Sequence, residues 1–194
     1  PSRPLHGDHI LQVAITKIAC LDRQEIGRKA AVMAFLEWSC FEYIFVRESL
    51  LLCLLHFAPD SEKSLIQSIR SSNPSNRLKG VRNAVWDLLL VRDWVKRVQK
   101  QSDENRVWIL CSRDAQLQRL ARLVIHTDME KKREELFFEM LTGIGWSKNI
   151  SRQITKIHFE LMGKTESSKR ACKRDGFDAH CPEFLQNLEQ ELCC

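Results

Sequence analysis

Two aspartates set the chemistry this chain could perform. Asp87 falls in a segment patterned as a helix, beside Ala84, Leu88 and Val91. A carboxylate on or beside a buried face is costly unless a cation, a helix N-terminus or an arginine compensates it. Asp114 stands 27 residues further on, three past an apolar run and just ahead of a new helical pattern. The carboxyl ends of strands are where ligands bind in α/β folds, although a helix N-cap is the commoner role for an aspartate so placed. Glu48 is the third acid, leading an almost wholly apolar helix; pairing with Arg47 or capping that helix would equally explain it. Ser112 precedes Asp114 by two residues and can orient a water or a carboxylate, or serve as a turn or cap serine.

The elements that must hold these residues follow from periodicity. Apolar residues recur at helical spacing over 10–21, 30–41, 48–57, 81–98, 115–125, 129–141 and 149–162. A shorter amphipathic stretch, 62–69, reads as helix too. Asp22 with Glu25 is a weak helix-start signal, and Ser71-Ser72-Asn73-Pro74-Ser75-Asn76 is the clearest loop. Two stretches read as short strands: Arg106 to Cys111 strongly, and Tyr43 to Val46 as strand or last helical turn. Residues 163–176 are polar and basic, as in a linker, and 182–192 could form a short acidic helix.

Composition bounds the class. The chain has 194 residues, 44% hydrophobic and 28% charged, enough for a real core. Only 7 glycines and 5 prolines occur, which argues against a sandwich or barrel of many strands. The net charge of +5 permits a polyanionic partner without demanding one. Of eight cysteines, Cys20, Cys40, Cys53 and Cys111 sit in apolar stretches, and no C-x-x-C pair occurs. A reducing intracellular compartment, cytoplasmic or nuclear, is therefore expected rather than a disulfide framework. Cys172, His180, Cys181, Cys193 and Cys194 fit no usual structural zinc spacing. The most apolar run, Ser49 to Ala58, is about half of what a membrane span needs, so no membrane association is expected.

The block from Asn83 to Leu120 resembles the C-terminal half of PIN-domain nucleases. Asn83-Ala84-Val85-Trp86-Asp87 matches that family's acid leading a helix, and Ser112-Arg113-Asp114 its Ser-x-Asp after a short strand. Glu48 resembles the family's glutamate. The resemblance implies an α/β fold: a small, mostly parallel sheet covered by helices, over residues 1–127, with a helical, basic extension over 128–194. It implies a metal-dependent ribonuclease in which Glu48, Asp87 and Asp114 bind Mg²⁺ or Mn²⁺, hard cations that prefer oxygen ligands. The metal would activate water against the scissile phosphate, with Ser112 assisting. Arg82, Arg92, Lys96, Arg113 and Arg119 would hold the RNA. One departure is plain: the family's opening strand, which carries an Asp, would have to lie upstream of Pro1, or Asp8 would have to replace it.

Two rivals stand beside this reading. Arg152 and His158 have the Arg-x(4–6)-His shape of HEPN ribonucleases, which are all-helical and metal-independent. Alternatively the chain is a non-catalytic helical module that binds protein or nucleic acid. Trp38, Trp86, Trp94, Trp108 and Trp146 are then core or partner anchors, and the C-terminal extension is a second place for a protein partner. His56, in an apolar helix, reads as a satisfied core histidine, and no serine-nucleophile motif stands out.

Overall fold

The computed structural model describes residues 9–60, 64–100, 107–125, 132–164 and 181–194. Seven helices run in order: α1 (His9–Arg23), α2 (Arg28–Phe41), α3 (Arg47–His56), α4 (Pro74–Gln99), α5 (Ala115–Ile125), α6 (Arg133–Gly143) and α7 (Lys148–Lys164). Residues 181–193 form a further helix, α8.

Apolar residues encircle α1 and α3, so both are buried on several sides. Leu11, Ile15 and Ile18 of α1 and the run Leu50 to Leu55 of α3 are all buried. The one buried hydroxyl of α1, Thr16, returns its proton to the Gln12 carbonyl at 2.7 Å. The long α4 buries a single stripe through Val81, Val85, Leu88, Val91 and Val95. Its start is encoded locally: Asn73 accepts from the Ser75 N–H at 2.9 Å, with Pro74 in the first turn.

The helices close around α1, which packs on α2, α3 and α4; α5 lies against α3 and α4, and α7 against α2 and α6. Trp146, buried at the α6–α7 turn, donates to the Leu54 carbonyl of α3 at 3.2 Å. α8 seats Leu188 and Leu192 in the same core, and its Phe184 meets Tyr43. Arg77 is buried near the α4 start without a carboxylate. Its guanidinium donates to the carbonyls of Ser71 (2.8 Å) and Cys193 (2.6 Å). The latter sits at the C-terminus of α8, where the helix dipole favours a cation. Residues on both sides of position 127 thus share one core.

The expected α/β fold is corrected. Among the described residues there is no strand and no sheet. Tyr43 to Val46 is a connection between α2 and α3, and its aromatic content has a packing cause. Tyr43 stacks on Trp38 with centroids 4.4 Å apart and donates to the Ile10 carbonyl at 2.7 Å. Residues 107–111 of the second expected strand are irregular and pair with no other strand. The segment is held to α4 by the Trp94 indole N–H, which donates to the Trp108 carbonyl at 3.0 Å, and by Leu110, which packs against the core. Strand propensity reports a fit to a half-buried surface, but here Val107, Trp108 and Ile109 stay exposed. Residues 64–69 form turns rather than the expected amphipathic helix.

Candidate functional sites

Asp114 lies just ahead of α5, and its Oδ1 accepts from the Gln116 (2.8 Å) and Leu117 (3.1 Å) N–H groups. It is an N-cap, one of the two roles its position allows. Ser112 builds the same turn: its hydroxyl accepts from the Asp114 N–H at 3.0 Å and its carbonyl from Gln118 at 2.6 Å. Asp87 is half-buried on the flank of α4 that faces this turn. Burial, and then the charge of Asp114, push its carboxyl above the usual range.

The structure therefore brings Asp87 and Asp114 within electrostatic reach of each other. Glu48 is half-buried in the first turn of α3. Its neighbour Arg47 donates to the Val124 carbonyl at 3.4 Å, at the opposite end of α5 from Asp114. Ten residues of helix put that end roughly 15 Å from the cap. Asp8 lies outside the described residues, as do Cys172 and His180. Among the described residues no three His, Cys, Asp or Glu side chains are grouped to hold one ion.

The acid pair has a testable consequence. A carboxyl whose folded pKa is raised stabilises the fold fully below its unfolded value, 3.8, and that contribution is lost as pH rises through the folded value. Asp87→Asn is thus expected to raise the urea midpoint at pH 7, with the gain shrinking as pH falls through the folded value toward 3.8. Equal midpoints for variant and wild type at pH 7 would show that neither burial nor Asp114 penalises the Asp87 carboxylate.

Arg152 and His158 lie on different faces of α7. Six residues of helix turn them about 120° apart. His158 is buried among Phe137 (4.6 Å between centroids), Phe159 and Phe45, while Arg152 lies over Phe138. Burial lowers the His158 pKa to about 4, and its buried Nδ1 has no hydrogen-bond partner among the described residues.

The outer face of α4 is unusual for exposed apolar area. Trp86 is 55% exposed and Leu90 49%. The segment held at Trp94 and Arg97 further along the helix is exposed too, with Val107 at 79% and Ile109 at 75%. The Arg97 guanidinium covers the Trp108 ring at 5.0 Å while pairing with Asp93 at 2.7 Å. Positions 79, 82, 86, 90, 93, 97 and 100 share this face at helical spacing. Exposed Lys79 and Arg82 flank the apolar centre on one side, Arg97 and Lys100 on the other. Trp38 and Trp146, in contrast, are core.

A third grouping had no sequence signal. Asp22 at the end of α1, His56 at the end of α3 and Ser64 in the following turn line one cavity of about 540 Å³. The Ser64 hydroxyl meets His56 Nδ1 at 2.5 Å, and His56 Nε2 faces Asp22 Oδ1 at 3.6 Å. The His56 imidazole, chiefly, and Arg70 hold the Asp22 carboxyl below its usual range against the opposing effect of burial. His56 is indeed a satisfied histidine, but the groups that satisfy it form a chain of proton-transfer chemistry.

Among the described residues no disulfide forms; burial pushes the Cys20 thiol up to about 12 and raises Cys53 as well. Among the described residues no helix is long and apolar enough to cross a membrane. No family model, curated protein or solved structure matches the chain.

Proposed function

We propose that this chain is a helical protein-interaction module that docks an acidic amphipathic segment on the outer face of α4. The supporting observation is the exposure of Trp86 and Leu90 on the outer face of α4 and of Val107, Trp108 and Ile109 on the segment held at Trp94 and Arg97 of that helix, with exposed Lys79, Arg82, Arg97 and Lys100 on the same face. Exposed apolar patches with a polar rim mark interaction sites. Tryptophans and arginines are the side chains that dominate such interfaces. The aliphatic members favour a protein over a nucleic acid, because single-strand binders present aromatic stacking platforms rather than valine and isoleucine. The basic rim selects an acidic partner.

The test is titration of the full chain with a fluorescent amphipathic peptide bearing leucines on one face and glutamates on the other. A lysine version of the peptide and a single-stranded uridine oligomer serve as competitors. Saturable, salt-weakened binding of the acidic peptide is expected. Joint replacement of Trp86 and Leu90 by alanine should weaken it by about tenfold or more. Preference for the oligomer, or indifference to the double substitution, overturns the assignment.

A second reading, metal-assisted cleavage of RNA, retains the Asp87–Asp114 pair as support. Two carboxylates with waters and substrate phosphates suit Mg²⁺ or Mn²⁺, though one Asp114 oxygen is committed to its cap. A shared ion would raise the melting temperature of the wild type by linkage and leave Asp87→Asn unmoved. Equal responses of the two proteins to Mn²⁺ would remove the reading.

A further inference from the structure

We infer that Ser64, His56 and Asp22 form a nucleophilic relay able to cleave small acyl esters, an activity separate from the docking face of α4. Three features carry it. The first is connectivity. The Ile66 N–H donates to Ser64 Oγ at 3.0 Å, and the same oxygen lies 2.5 Å from His56 Nδ1, to which its hydroxyl donates whenever that nitrogen carries no proton. A neutral His56 that accepts at Nδ1 carries its proton at Nε2, the nitrogen facing Asp22. The serine is thus hydrogen-bonded to a base, and the base faces a carboxylate at 3.6 Å, close enough to orient the ring once a small shift brings the two together, which is the arrangement nucleophilic catalysis requires. The ring nitrogens are used in the opposite sense to the serine-protease template, and relays of this kind are recognised by roles rather than by position.

The second feature is enclosure. The His56 side chain is 5% exposed and that of Asp22 18%, so the pair is shielded from bulk water while the cavity remains open to a small molecule. The third is the lining. Leu21, Ala31 and Phe57 offer an apolar wall for a short acyl group. Arg70 lies across the cavity with most of its side chain exposed and its guanidinium 3.7 Å from Asp22. Arg28 also lines the cavity but donates to the Ala58 and Pro59 carbonyls, which leaves Arg70 to meet charge developing on a carbonyl oxygen.

In the reaction Ser64 Oγ bonds to the acyl carbon as its proton passes to His56 Nδ1. Collapse of the tetrahedral adduct breaks the ester C–O bond, and His56 returns that proton to the departing alcohol. Water, deprotonated by His56, then attacks the acyl group and releases the acid, restoring the serine. No redox partner or metal takes part in any step. Ser64 and His56 are the catalytic residues; Asp22 is a positioning residue.

The experiment treats the full chain with a fluorophosphonate probe, whose phosphorus bonds to an activated serine with loss of fluoride, and follows p-nitrophenyl acetate turnover in parallel. One adduct per chain is expected, mapped by peptide mass to Ser64 and absent in Ser64→Ala. In Asp22→Asn the labelling rate should fall by about a hundredfold or more, while Asp22→Glu recovers part of it. That recovery separates orientation of the imidazole from a merely structural role. Absence of an adduct, an adduct on another serine, or labelling of Asp22→Asn at the wild-type rate each overturns the inference.

Discussion

Acidification from pH 7 to pH 5 should cost the fold about 2 kcal/mol through His158 alone. Burial among Phe45, Phe137 and Phe159 disfavours the imidazolium, lowering the folded pKa from 6.5 to about 4. Between those two values the unfolded chain binds a proton that the folded chain refuses. Stability therefore rises with pH across this window, is complete above 6.5 and is lost as pH falls toward 4. The unpartnered Nδ1 reinforces the effect, since no neighbour rewards protonation there. The measurement is urea unfolding at pH 7, 6 and 5 for the wild type and His158→Phe. The variant keeps the aromatic packing and has nothing to protonate, so its stability should hold nearly level where the wild type loses stability. Parallel pH profiles for the two proteins would show that His158 is protonated without penalty.

This histidine shows where the sequence was legible and where it was not. Helical periodicity located α1, α2, α3, α5 and α7 to within a few residues, because each buries a stripe or a full circumference that repetition reveals. Arg106 to Cys111 misled for a physical reason. A short run of β-branched and aromatic residues suits a strand only where neighbouring strands cover it, and here Val107, Trp108 and Ile109 stay exposed while the Trp94 indole holds the Trp108 carbonyl. With the strand went the sheet that would have gathered Glu48 with the two aspartates. Asp87 and Asp114 still meet, since α5 folds back on α4 and brings its cap toward the flank of the longer helix. The Asp22–His56–Ser64 grouping was invisible. Its members come from two helix ends and a turn, with no spacing that chemistry dictates, and Ser64 fell within a stretch patterned as helix.

Gly80→Ala should destabilise the chain even though alanine is the better helix former. Gly80 lies inside α4, where replacing glycine by alanine ordinarily gains about 1 kcal/mol. Here the turn at 64–70 presses its backbone onto that helix: a Cβ on residue 80 would stand 1.8 Å from the Gln67 carbonyl oxygen and 2.9 Å from its carbon. Both atoms are main chain, so no side-chain rotation relieves the clash. The turn is already constrained, with Ser68 at a φ of 57° and Leu65, Ile66 and Ile69 buried beneath it. Overpacking of this kind costs about 1–3 kcal/mol, enough to outweigh the propensity gain. The net effect expected in urea unfolding is therefore a loss, and a stabilised Gly80→Ala would mean that the turn does not rest on α4. The same displacement reaches function. The residues pressed against Gly80 are those that carry Ser64 to His56, so lifting the turn separates the hydroxyl from its base. Fluorophosphonate labelling should then fall in Gly80→Ala under conditions where circular dichroism shows the helices intact. Loss of stability with undiminished labelling would place the strain away from Ser64 and make the turn a structural element only.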